Sequence, residues 1–99
     1  MVSIIIPTFN RHSQLNRTLQ SLVTLKTPRE LFEIIVVDNG SVDETSNVVK
    51  KHQQENKNLK IKYFYDSEPG LLTGRHRGAK EACGEILTFI DDDVQVSYT

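Results

Sequence analysis

The sequence predicts an α/β fold in which a parallel sheet is covered by helices on both faces. Two observations predict it: short β-branched apolar runs recur along the 99 residues, and the stretches between them carry apolar residues at helical spacing. Val2 to Ile6 is the first run, almost continuously apolar and ended by Pro7, as expected of a strand buried on both faces. From Ser13 onward Leu15, Leu19 and Leu22 fall at i, i+4 and i+7, which predicts a helix with one apolar stripe, in a region closed by Pro28. Phe32 to Val37 is the second strand and runs into Asp38, Asn39 and Gly40. Ser41 is the expected cap of the second helix, because Glu44 stands at the capping-box spacing and Val48, Val49 and His52 follow as a helical face. His52 reads there as a packed or half-exposed helix residue rather than a ligand. Ile61 to Tyr65 is the third strand and Asp66 to Gly70 a turn. Leu71 to Ala82 is a third helix with Leu72, Ala79 and Cys83 on one side, and Ile86 to Ile90 is a fourth strand. Such alternation implies right-handed crossovers, and a strand order of 3-2-1-4 puts a switch point between the first and fourth strands.

With 37% hydrophobic and 25% charged residues, the chain has the composition of one globular unit with one core over residues 1–99. Twelve basic residues against 13 acidic ones leave a net charge of −1 with no long block of either sign, so no nucleic-acid partner is indicated. Cys83 is the only cysteine, which excludes an internal disulfide and a cysteine-rich zinc site and fits a reducing, cytoplasmic setting. Its small neighbours Ala79, Ala82 and Gly84 predict a buried thiol. The amino-terminal apolar run is too short for a signal peptide, and no stretch reaches the roughly 20 apolar residues of a membrane span.

In open parallel sheets, ligands bind outside the carboxyl ends of the strands. That rule selects Pro7 to Arg11, Asp38 to Ser41, and Asp91 to Asp93. Three adjacent carboxylates at the end of an apolar strand repel one another unless a cation occupies them, and hard oxygen donors favour Mg²⁺ or Mn²⁺. A dinucleotide fingerprint is excluded, because Pro7-Thr8-Phe9-Asn10-Arg11 has no glycine to let the backbone cradle a pyrophosphate. A P-loop is absent as well, so phosphate has to be held by metal and side chains. Arg75 is the better basic candidate, since its guanidinium offers a bidentate fork, while Arg77 reads as a surface residue.

Four segments together resemble the family 2 glycosyltransferases. Val2-Ser3-Ile4-Ile5-Ile6-Pro7-Thr8-Phe9-Asn10-Arg11 is similar to their opening strand and loop, and Val36-Val37-Asp38-Asn39-Gly40-Ser41-Val42-Asp43 to their second nucleotide-binding stretch. Gly70-Leu71-Leu72-Thr73-Gly74-Arg75-His76-Arg77-Gly78 resembles the glycine-arginine helix, and Gly84-Glu85-Ile86-Leu87-Thr88-Phe89-Ile90-Asp91-Asp92-Asp93 resembles the segment ending in the Asp-x-Asp motif. The resemblance implies a three-layer, Rossmann-like GT-A half-domain with Mn²⁺ or Mg²⁺ as cofactor and a UDP-, GDP- or dTDP-sugar as donor. It implies that Pro7, Phe9 and Asn10 line the base and ribose pocket, that Asp38 or Asn39 contacts the base, and that Arg75 approaches the base or diphosphate. Asp91 and Asp92 are expected at the ribose or donor sugar, with Asp93, joined by Asp91, at the metal. Position 39 is Asn where many members have Asp, and position 76 is His where Asn is common, so His76 is assigned only to the pocket wall.

The implied reaction is metal-assisted transfer of the sugar to an acceptor hydroxyl with inversion. In the family the general base follows the Asp-x-Asp motif, and the chain ends at Thr99, so no catalytic residue is assigned here. The chain is therefore expected to be a single donor subdomain, truncated after that motif and not catalytically competent alone. The competing reading is an inactive nucleotide- or metal-binding fragment. A sugar nucleotidyltransferase would need a glycine-rich basic loop after the first strand, which Pro7 to Arg11 is not. A phosphoacceptor receiver would want an acidic pair there, where this chain has Thr8 and Asn10. An unpaired fourth strand predicts self-association through an exposed sheet edge.

Overall fold

The computed structural model describes residues 1–65 and 77–90. Strands β1 (Val2–Thr8), β2 (Phe32–Asp38), β3 (Ile61–Tyr65) and β4 (Ile86–Phe89) form one parallel sheet in the order β3-β2-β1-β4, as the sequence predicts. Helices α1 (His12–Val23) and α2 (Thr45–Glu55) connect the first three strands, with a short 3₁₀ turn at Arg29–Leu31 before β2. Residues 77–81 are helical. The expected turn at 66–70, the first half of the third helix, and the acidic run lie outside the described residues.

Side chains alternate across the two central strands because a strand has a period of two. Ile4, Ile6, Ile34 and Val36 face Leu15, Leu19 and Leu22 of α1 and Val49 of α2 in the larger core. Ile5, Ile35 and Val37 face the other way and pack with Phe64 and Ala82. Full burial of such a side chain stabilises by about 1.5–3 kcal/mol, so β1 and β2, covered on both faces, anchor the sheet. His52 is buried, as expected of a packing residue, and its Nε2 pairs with Asn16 Oδ1 at 2.8 Å to join α2 to α1. Burial pushes its pKa below the usual histidine value.

Several expectations need correction. β1 continues through Pro7 to Thr8. Ile5 turns its carbonyl toward Ile90 (3.1 Å) and Thr8 turns its carbonyl toward Asn39 (2.9 Å), so Pro7, two residues on from Ile5, faces the β4 side. Its missing N–H thus ends the β1–β4 ladder, whose register stops at Ile5↔Phe89, and leaves the β1–β2 ladder intact through Thr8↔Asp38. Ser41 does not cap α2: the helix begins at Thr45, and Ser41 belongs to the preceding loop. Cys83 is exposed, because the chain has left the helical segment and turns its thiol toward Lys62 Nζ, 3.2 Å away. All four residues of β4 are exposed, with Ile86 at 61%. Among the described residues β4 is an edge strand whose only neighbour is β1.

A polar cluster lies on the second face, at the amino-terminal end of the strands. Glu33, within the apolar run of β2, is fully buried. Its Oε2 accepts hydrogen bonds from Ser3 Oγ (2.6 Å) and the Cys83 N–H (2.7 Å), and Lys62 Nζ is 3.1 Å from its Oε1. Ser3 Oγ in turn accepts the Gly84 N–H at 2.8 Å. Burial alone would raise the Glu33 pKa; the bonds from Ser3, Cys83 and Lys62 outweigh it and hold the carboxyl below the usual range.

Candidate nucleotide-binding rim

β1 and β2 end level with each other, since Thr8 pairs with Asp38, and both loops leave from the carboxyl rim of the sheet. The Asn39 N–H adds a last rung to the Thr8 carbonyl at 2.9 Å. Beyond it the chain reverses at Gly40, whose φ of 96° is a conformation that glycine adopts without a Cβ penalty. Asn10 stands at φ 51°, the left-handed region that Asn tolerates better than most residues.

The two loops hold each other. The Asn10 N–H donates to Ser41 Oγ (2.8 Å), and the Val42 N–H donates to Asn10 Oδ1 (2.9 Å). Asp38 fixes its own loop from below, with Oδ1 accepting the Ser41 N–H at 2.8 Å and Oδ2 accepting the Tyr63 hydroxyl at 2.6 Å. Burial first, and then donation to the carboxylate, pushes the Tyr63 pKa far up, so the phenol remains a neutral donor.

Asp43 ties the loops to both helices. Its Oδ2 accepts the backbone N–H of His12 (3.3 Å) and lies 3.0 Å from His12 Nδ1. Its Oδ1 accepts the backbone N–H of Thr45 (3.0 Å) and a bond from Thr45 Oγ1. Burial raises the Asp43 pKa, but the bonds from Thr45 and His12 overcome it and pull the carboxyl down to about 2.

The structure thus brings five of the expected residues to one rim. Pro7 lies within β1, one residue before its end, Asn10 joins the loops, and Asp38 and Asn39 are buried beneath them, Asp38 with both oxygens engaged within the protein. Phe9 is 53% exposed. Arg75, Asp91, Asp92 and Asp93 lie outside the described residues, as does His76. Arg77 packs its guanidinium 5.0 Å from the Phe64 ring centroid and lies 3.5 Å from Glu81. Sequence reasoning missed His12, Tyr63 and the part played by Asp43. The spacing Asp43-x-Thr45 just before the helix was the available signal, and Ser41-x-x-Glu44 competed with it.

A divalent cation needs free carboxylate oxygens. Asp38 and Asp43 spend theirs on protein donors, and among the described residues no group of three or more His, Cys, Asp or Glu side chains converges. Ile90, immediately before the acidic run, donates its N–H to Ile5 of β1 at 3.1 Å, which brings β4 to the same rim.

Comparison with known proteins supplies the relationship. Residues 3–99 match the family described as glycosyl transferase family 2. A validoxylamine A glucosyltransferase of Streptomyces hygroscopicus is 38% identical over 96 residues, covering 95% of this chain and 20% of that protein. The mannosyltransferase PcManGT of Pyrobaculum calidifontis, solved with GDP-Man and Mn²⁺, superposes with a TM-score of 0.88 at 27% identity, over 93% of this chain and 27% of its own. TarS of S. aureus, solved with UDP-GlcNAc, gives a TM-score of 0.82 at 32% identity, over 93% of this chain and 26% of its own. The chain spans 20% to 27% of the length of these three relatives. Among the described residues no helix is long and apolar enough to cross a membrane.

Proposed function

The chain belongs to glycosyl transferase family 2, and on that premise we propose that it is the donor-binding part of a glycosyltransferase, holding a nucleoside-diphosphate sugar with a divalent cation. The observation that carries this reading is the shared rim: the loops after β1 and β2 are bonded to each other, and β4 pairs with β1 as far as Ile90, whose N–H reaches the Ile5 carbonyl. Phe9 offers its exposed face to the base, Pro7 and Asn10 shape the pocket, and Asp38 and Asn39 lie beneath the base. Arg75 takes the base or diphosphate, Asp91 and Asp92 the ribose or sugar, and Asp93 with Asp91 the cation. When bound, Mn²⁺ or Mg²⁺ supplies charge neutralisation to the departing diphosphate. The reaction served is an inverting displacement: the acceptor oxygen bonds to the anomeric carbon, the bond from that carbon to the diphosphate oxygen breaks, and the hydroxyl proton goes to a base outside the residues assigned here.

The support for a nucleotide donor and a metal is the named ligands of the similar structures, GDP-Man with Mn²⁺ in one and UDP-GlcNAc in another. Calorimetric titration of UDP, GDP and dTDP, with and without Mn²⁺, tests it on the native chain and on Asp93→Ala. We expect one nucleotide to bind only with Mn²⁺ and its affinity to fall at least tenfold in the variant. Failure of every nucleotide to bind to a folded chain would overturn the donor site and leave the inert-fragment reading.

Self-association belongs to the same proposal. β4 carries no charge, its residues Ile86, Leu87 and Phe89 are all exposed, and among the described residues its outer edge is unpaired, so that edge is a template for pairing with a second chain. Light scattering is expected to give a mass that climbs with concentration, and Leu87→Lys is expected to restore a monomer; a clean native monomer at high concentration removes the idea.

A further inference from the structure

We propose that Tyr63 is a positioning residue of the donor site: through Asp38 its hydroxyl sets the loop after β2, and Asp38 serves as the anchor of that loop rather than as a reader of the base. The inference rests on the function proposed above and concerns how its pocket is held. Ile34 and Val36 point into the larger core, so the period of two carries Asp38 onto the same face of the sheet, the one covered by α1 and α2. Tyr63 pairs with Val36 in the register of β3 on β2, and its ring packs against that core. A ring seated there delivers its hydroxyl two residues further along β2, to Asp38 Oδ2 at 2.6 Å. Asp38 Oδ1 holds the Ser41 N–H at 2.8 Å, and with Asp38 only 1% exposed the carboxylate is closed to a ligand at the rim.

Beyond Asp38 the bonds continue across the rim. Ser41 Oγ accepts the Asn10 N–H and Asn10 Oδ1 accepts the Val42 N–H, so one hydroxyl on β3 reaches both loops through Asp38. Asn10, at φ 51°, is held in a sparsely populated conformation that persists only where neighbouring bonds fix it. Replacing Asp38 by asparagine separates an anchor from a reader. The new amide oxygen still accepts the Ser41 N–H, and the amide nitrogen donates to the Tyr63 oxygen, since a phenol both donates and accepts. An anchor survives that change; a carboxylate that reads the base by its charge does not.

The test has one arm without any nucleotide, amide hydrogen exchange followed by NMR, and one with it, calorimetric titration of UDP, GDP and dTDP in Mn²⁺. Both are run on the native chain, Tyr63→Phe and Asp38→Asn. Tyr63→Phe is expected to speed exchange at Ser41 and Val42 by at least about tenfold more than at Ile35 and Val36 in the centre of the sheet, and to weaken the bound nucleotide by about fivefold or more. Asp38→Asn is expected to leave Ser41 protected and nucleotide affinity within about threefold of native, and it carries the test alone if Tyr63→Phe does not fold. Equal acceleration at all four amides in Tyr63→Phe, or native exchange at Ser41, overturns the proposal, because the hydroxyl then does no more than support the sheet. Affinity reduced about tenfold or more in Asp38→Asn, with Ser41 still protected, makes Asp38 the reader of the base and overturns it too. If no nucleotide binds the native chain, the donor reading fails, and the exchange arm still decides whether Tyr63 holds the loop.

Discussion

Replacing Lys62 with methionine is expected to destabilise the fold by about 3 kcal/mol at pH 7, several times the value of a surface ion pair. The asymmetry of burial is the reason. Glu33 is fully buried, whereas the Lys62 side chain retains 24% exposure, so losing the lysine strands a charge that water cannot reach. The pH dependence separates this mechanism from loss of packing. In the native chain the Glu33 pKa lies below its unfolded value of 4.5; its contribution is fully present above that pH and is lost as pH falls through the lowered folded pKa. Without Lys62, burial is opposed only by the Ser3 and Cys83 bonds, and the Glu33 pKa rises. The stability gap between native chain and variant should therefore narrow between pH 7 and pH 4 in urea titrations, and Lys62→Met/Glu33→Gln should recover part of the loss at pH 7. A gap constant across that range would show that the charge on Glu33 is not the cause.

That cluster also marks where the sequence stops being readable. The apolar runs of β1 and β2 and the Leu15, Leu19 and Leu22 stripe are local patterns, and each appears in the structure on the face its period dictates. The strand order and the joining of the Asn10 and Asp38 loops at one rim were likewise accessible from the β/α alternation and the resemblance. Glu33 was not, because its partners Ser3 and Cys83 lie 30 and 50 residues away and nothing within β2 announces a buried carboxylate. Asp43 was hidden for a related reason: local spacing offered Ser41 as a cap, and only the approach of His12, 31 residues away at the start of α1, reveals which oxygen-bearing side chain holds the helix ends. The thiol of Cys83 was misread because small neighbours in sequence are not neighbours in space once the chain leaves the helix.

Gly78→Ala is expected to lower stability by about 1–3 kcal/mol even though alanine is the better helix former by about 1 kcal/mol. Residues 77–81 are helical and lie against β1 so closely that a Cβ at position 78 would stand 2.2 Å from Ile5 Cγ2, with Ile5 Cβ and Cγ1 both at 3.3 Å. Ile5 is fully buried in a central strand and has no room to withdraw. The segment must lift instead, carrying Arg77 away from the Phe64 ring and loosening Ala82 from the second core. Since the expected phosphate ligand Arg75 and the β4 strand lie on either side of this segment in the chain, a lifted helix reaches the site from both directions. Nucleotide affinity in Gly78→Ala should then fall along with stability, and a double-mutant cycle identifies the contact. Ile5→Ala removes Cγ2 at a cost of about 2–5 kcal/mol on its own. Combined with Gly78→Ala, the two losses should sum to at least about 1 kcal/mol less than their separate values, the coupling expected of residues in direct contact. Strict additivity in urea titrations would place the strain of Gly78→Ala somewhere other than Ile5.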